Sequence, residues 1–175
     1  MNRQVVSGPK RRGLIVVALS LAAISAVYAT TTALATPSTG LTTTILTKSL
    51  FDEIDINAHT IAASIWQAKL KTKGQTDVYV VDNKIVPGGT TGWHSHPGPS
   101  LILVVAGTVT NYEGDDPACT PHVYSQGSGF IDEGGTDVHT LRNEGTVPAE
   151  TIAVQLLPKD AARKTDMPAP GNCPF

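Results

Sequence analysis

Three histidines carry the sharpest chemical signal in the chain. His94 and His96 stand two residues apart in the segment Gly92-Trp93-His94-Ser95-His96-Pro97. On an extended strand, residues two apart project to the same face, so the two imidazoles point together and Ser95 turns to the other side. Two adjacent imidazoles can each give one nitrogen to a divalent metal, but they need a further ligand from elsewhere in the fold. His139 is the candidate, because it lies between apolar Val138 and Leu141 in a stretch of strand composition. The cofactor expected from these residue types is one divalent transition metal (Fe, Mn, Ni or Zn), its identity left open. A hydrogen-bonded core or rim role is the alternative reading of such histidines.

The other residues of chemical interest read differently. His59 reads as solvated and His122, three residues past Cys119, as a loop residue. Asp115-Asp116-Pro117 reads as the start of a turn rather than a Ca²⁺ site. Asp137 shares a face with His139 if the strand runs unbroken, so it could orient that ring, act as a base, or be a rim charge. Cys119 and Cys173 are the two cysteines of the chain. In an exported protein they allow one disulfide; thiolate metal ligation is the alternative, with no Cys or His at finger spacing to support it. There is no Gly-rich phosphate loop and no Ser-His-Asp arrangement with supporting spacing, so catalytic residues stay unassigned.

Glycines around the histidines extend the pattern. Gly88, His94-x-His96, Ser100 and Gly107, with five, three and six residues between them, resemble the first motif of the cupin family. Ser100 stands where that family usually has Glu. Residues 127–143 resemble the second motif through Gly127, Gly135, His139 and Asn143. Glu133 stands where the family favours Pro, and one extra residue separates Gly135 from His139.

The resemblance implies a double-stranded β-helix, a jelly-roll barrel with one metal in its mouth held by His94, His96 and His139. Three neutral imidazoles would leave a divalent ion at a formal +2 with open positions, a site suited to an anionic or bidentate small molecule, beside O₂ if the metal is iron. Some three-His cupins, thiol and diketone dioxygenases among them, work in this way. Two functions stay open: a metal-dependent oxygenase, isomerase or lyase, and a non-catalytic cupin that binds metal or a small ligand. Ser100 could hold a water or a ligand's hydrogen bond, and Ser100→Glu is expected to tighten metal binding. Metal loss is expected as pH falls through about 6.5. Retention unchanged well below about pH 5 would point to a hidden carboxylate such as Asp137 or Glu133.

The elements that must position these residues read as strands. Residues 41–50 are rich in Thr, Ile and Leu, 64–71 alternate apolar and polar, and 77–86 form a long strand ended by Pro87-Gly88-Gly89. Residues 100–105 and 108–112, separated by Ala106-Gly107, read as a hairpin. Residues 130–131, 137–142 and 151–157 complete the series, and 54–68 is ambiguous between helix and strand. Short strands with turn residues between them mean an all-β sandwich or small barrel.

Composition bounds the rest. With 175 residues, 41% hydrophobic and 16% charged, the chain suits one globular domain. Sixteen Gly and twelve Pro against 5% aromatics favour many turns. The first 35 residues hold Arg3, Lys10, Arg11, Arg12 and no acid, then an apolar run from Leu14 to Ala29 and Ala33-Leu34-Ala35. This order reads as a secretory signal over 1–35, cut after Ala35 (or after Ala29), with 36–175 as a single barrel domain. The product would be extracytoplasmic, without a stable membrane span; an uncleaved signal serving as an anchor is the alternative. Arg11-Arg12 raises twin-arginine export without deciding it. The body beyond residue 35 is acidic, which excludes nucleic acid as a partner. A homodimer is compatible with such a barrel.

Overall fold

The computed structural model describes residues 34–59 and 66–175. The apolar N-terminal run and the Ser64-Ile65 end of the alternating segment lie outside the described residues. No helix among them is long and apolar enough to cross a membrane.

Every regular element among the described residues is a strand: β1 Thr39–Phe51, β2 Asp55–His59, β3 Gln67–Lys71, β4 Thr76–Thr90, β5 His94–Ser95, β6 Ser100–Ala106, β7 Thr108–Glu113, β8 His122–Ser125, β9 Gly129–Asp132, β10 His139–Arg142, β11 Ala149–Pro158 and β12 Thr165–Asp166. The ambiguous stretch contributes β2 and β3, which pair only with each other. The other strands form a nearly closed antiparallel barrel. Its spine is β4, flanked by β1 and β11; β11 pairs β6, and β6 pairs β9. A second group joins β10 to β5 and β7, with β8 beside β7 and β12 beside β5.

Alternation along β6 and β11 builds the interior. Ser100, Ile102 and Val104 point inward from β6, while Leu101, Leu103 and Val105 point out. The inward residues of β11 are Ala149, Thr151, Ala153, Gln155 and Leu157. Register places Val104 against Thr151, Ile102 against Ala153 and Ser100 against Gln155. One end of the barrel is therefore apolar, around Ile85, Val104, Val109, Leu141 and Ala149. Each large side chain buried there contributes about 1.5–3 kcal/mol. The interior turns polar at the level of Ser100 and Gln155, which is where the histidines enter.

Three expectations from the sequence are corrected. Pro87-Gly88-Gly89 does not end the long strand. β4 runs to Thr90, and an irregularity in the β1 pairing between Thr39 and Leu41 absorbs the interruption; Gly88 and Gly89 exchange backbone hydrogen bonds with Asn143. β6 and β7 do not form a hairpin. Gly107, at φ 66°, carries the chain round a corner so that β6 pairs β11 and β9 while β7 pairs β10 and β8. A Cβ on Gly107 would lie 2.5 Å from the Pro148 carbonyl oxygen, which explains why only glycine fits this corner. The strand read as 137–142 begins at His139, so Asp137 lies in the preceding loop and strand parity does not govern it.

Cys119 and Cys173 form a disulfide with Cα atoms 5.2 Å apart. The tail it anchors also packs. Asn172 donates to the Glu113 and Asp116 carbonyls at 2.9 and 2.6 Å. The Phe175 ring lies 4.9 Å from that of Tyr112 and 3.9 Å from the Arg142 guanidinium carbon.

Candidate metal centre

His94 and His139 are direct register partners across the β5–β10 pair. Their ring centroids are 4.4 Å apart, and that of His96 is 4.8 Å from His94 and 5.7 Å from His139. The rings present nitrogens that all lie within 4.8 Å of one another. All three residues are buried, at 3–6% exposure.

The hydrogen bonds fix which nitrogen is free. His94 Nδ1 donates to the Gly92 carbonyl at 2.9 Å, and His96 Nδ1 to the Arg163 carbonyl at 2.6 Å. A carbonyl oxygen only accepts, so both Nδ1 atoms carry the proton and both Nε2 atoms present lone pairs. Burial, followed by the neighbouring charges of His139 and His96, holds His94 well below the usual imidazole range. Burial lowers His96 too, against the Arg163 carbonyl and the Asp132 charge. His139 is held down to about 4, again chiefly by burial. These rings are neutral donors at neutral pH, the state that metal ligation needs.

A carboxylate absent from the sequence reading sits beside them. Asp132, 4% exposed, places Oδ2 3.7 Å from His96 Nε2 and Oδ1 3.7 Å from His139 Nδ1. Strand alternation was the signal for it: Asp132 shares a face of β9 with Phe130, which packs into the core. Asp137 and Glu113 also approach His139, since Glu113 is its register partner on β7. Both carboxyls are raised, by burial first and then by neighbouring acids. They line an open acidic cavity of about 750 Å³ together with Asp115 and Glu133. Glu133 is exposed there.

The cavity on the barrel side of the imidazoles is about 40 Å³ and is lined by Ser100, Gln155, Arg163 and Lys164 as well as by apolar Ile102 and Leu141. Ser100 Oγ accepts from Gln155 Nε2 at 3.0 Å, and Gln155 Oε1 accepts from Arg163 Nη1 at 3.1 Å. Lys164 is engaged by Asp166 at 2.6 Å and by the Thr91 carbonyl at 2.8 Å. Arg163 has no carboxylate partner among the described residues, and burial lowers its pKa. Gln155, Arg163 and Lys164 were not singled out in the sequence, because no spacing ties them to the histidines. His122 lies on β8 and His59 on β2, both exposed.

Residues 82–155 match the family model of the cupin domain, a span that holds all three histidines, Ser100 and Asp132. The chain carries a cupin domain. Solved structures match it at low identity. An uncharacterized conserved protein with a double-stranded β-helix domain from Klebsiella pneumoniae is 19% identical over 66% of this chain and 84% of its own, with a TM-score of 0.44. The DMSP lyase DddQ from Ruegeria pomeroyi is 14% identical over 51% of this chain and 43% of its own, at a TM-score of 0.45. An oxalate oxidase is 20% identical over 47% of this chain and 46% of its own, at 0.40. The chain thus spans less than half the length of either enzyme. No curated protein is significantly similar to it.

Proposed function

We propose that this cupin is an exported metal protein that holds one divalent transition ion through His94, His96 and His139 and engages a small anionic molecule beside it. The observation that carries this reading is the set of three buried rings with converging nitrogens, two of them locked with Nε2 free by backbone carbonyls. Such donors suit Fe, Mn, Ni or Zn. A bound ion supplies Lewis acidity and, if it is iron, access to oxygen chemistry of the dioxygenase type.

The chain's own residues define what could enter. Arg163 offers a guanidinium with no carboxylate partner among the described residues, oriented by Gln155 at 3.1 Å, and a charge-assisted contact to a carboxylate or similar anion follows from that geometry. Ile102 and Leu141 keep the lining partly apolar and limit water. The cavity of about 40 Å³ is close to the share of one liquid water, about 30 Å³. That size favours a ligand of few atoms and also favours the second reading, a metal- or ligand-binding cupin without turnover.

The disulfide supports an oxidising compartment, in line with a signal over 1–35. The test is oxygen uptake by the metal-loaded protein over small carboxylates, thiols, diketones and phenols, with ligand titration in parallel. Uptake above the metal-free control supports the enzyme, and binding without uptake supports the binding reading. Neither result with any of them would overturn the proposed ligand.

A further inference from the structure

We infer that Asp132 supplies a carboxylate ligand to this metal site, from a different strand than the one on which the cupin motif carries its glutamate. The inference rests on the proposed three-histidine site and adds a fourth donor to it.

Register explains how the acid arrives. Ser100, at the motif's glutamate position, pairs directly with Asp132 across β6 and β9. Paired residues project to the same face, so a carboxylate missing from one strand can be delivered by its neighbour. The chain then turns at Gly134, whose φ is 73° and whose Cβ, were there one, would lie 2.3 Å from the Gly98 carbonyl oxygen. That turn brings the Gly134 N–H to Asp132 Oδ1 at 2.8 Å and fixes the plane of the carboxylate.

The remaining atoms are left without partners. Asp132 Oδ2 and His139 Nδ1 are both buried and make no hydrogen bond. No Lys or Arg lies within ion-pair distance of Asp132 among the described residues, and its two close basic neighbours are His96 and His139. A buried carboxylate left in this state costs several kcal/mol unless a cation or proton meets it. Oδ2 lies 3.7 Å from His96 Nε2, the nitrogen whose lone pair is free. Two donors bound to one ion at about 2.1 Å stand roughly 3–3.5 Å apart. Oδ2 and His96 Nε2 are thus close to the spacing of two donors on one ion. Asp132 stands outside the set of three imidazole nitrogens within 4.8 Å of one another, so joining their ion requires the carboxylate to move in towards them. With Asp132 bound, the formal charge of a divalent site is +1 instead of +2.

The alternative role is a holder of the His139 ring through Nδ1–H. The two separate in a titration of the full chain with Co²⁺, read by competition with a chromophoric chelator and by the d–d absorption of the bound ion. Asp132→Asn keeps an acceptor for Gly134 and for His139 but removes the charge. We expect it to weaken Co²⁺ at least tenfold and to alter the d–d bands. The double variant Asp132→Ser/Ser100→Glu, which moves the carboxylate across to the paired strand, should recover most of the loss and keeps the test alive if Asp132→Asn folds poorly. Wild-type affinity and bands in a folded Asp132→Asn, or no recovery in the double variant, overturn the inference. Absence of Co²⁺ binding by the wild type would overturn the three-histidine reading together with it, a result distinct from the other two.

Discussion

Ser100 and Asp132 face each other as register partners on β6 and β9, and both are buried. The hydroxyl accepts from Gln155 at 3.0 Å while the carboxylate lies 3.7 Å from both His96 and His139. The polar layer of the barrel is thus a row, Asp132, Ser100, Gln155, laid across three adjacent strands. The site is neutral on the Ser100 side and anionic on the Asp132 side.

That row limits the tightening expected of Ser100→Glu from the sequence. A second carboxylate would stand opposite Asp132, with Cβ atoms roughly 5 Å apart, and would displace the Gln155 bond. The variant should lower the stability of the metal-free protein by about 1 kcal/mol or more and tighten metal binding no more than a few-fold. Thermal melting and chelator competition measure the two effects. Tightening beyond tenfold with no loss of metal-free stability would mean that Asp132 is not in the coordination sphere.

Arg163→Met keeps the side-chain stem and the carbonyl that holds His96 but removes the guanidinium. Metal content should stay at the wild-type level. Binding of a small carboxylate to the loaded protein should weaken by about tenfold or more, the scale of a hydrogen bond to a charged group. Isothermal titration decides it, and equal affinity in the variant would remove Arg163 from the ligand site.

The disulfide closes a loop with a sequence separation of 54, for which chain entropy gives about 4 kcal/mol. Reduction, or Cys173→Ser, should therefore lower the melting temperature, and the packing of Phe175 on Tyr112 adds to the loss. The oxidised protein should show no free thiol. Two titratable thiols in the non-reduced protein, or a melting temperature unmoved by reduction, would contradict this.

Acid should destabilise the metal-free protein through its histidines. Burial holds His94, His96 and His139 below the usual range, His139 at about 4. The unfolded chain begins to take up protons near about 6.5, and the folded chain does so only lower. Stability should fall across that window by up to about 1.4 kcal/mol per pH unit for each imidazole. For the same reason, metal release should come below the window of about 6.5 expected of free imidazoles. Melting curves at about pH 7.5 and about pH 5 test the first point; no decline between them would mean that the rings are not held neutral.

Much of this was legible in the sequence because it depends on short-range period and spacing. Alternation located β6 and β11, and two residues of separation put His94 and His96 on one side. What depends on pairing was not legible. The Ala106-Gly107 break marks a turn in either topology, and only the packing of Gly107 against Pro148 shows that it sends the two strands to different partners. Asp132 was hidden for the same reason. Its approach to His96 depends on the β6–β9 register, and the carboxylates favoured from sequence, Asp137 and Glu133, sit by the outer acidic cavity instead.

The central claim is that His94, His96 and His139 hold one metal ion, and metal analysis of protein purified without chelators tests it most directly. The wild type should carry about one divalent transition ion per chain. His94→Ala, His96→Ala and His139→Ala should each lose most of it, because removing one of a few donors strips the ion of a large part of its binding energy. His59→Ala and His122→Ala should retain the wild-type amount. A wild type free of transition metal, or a folded His139→Ala that keeps its full complement, would contradict the account.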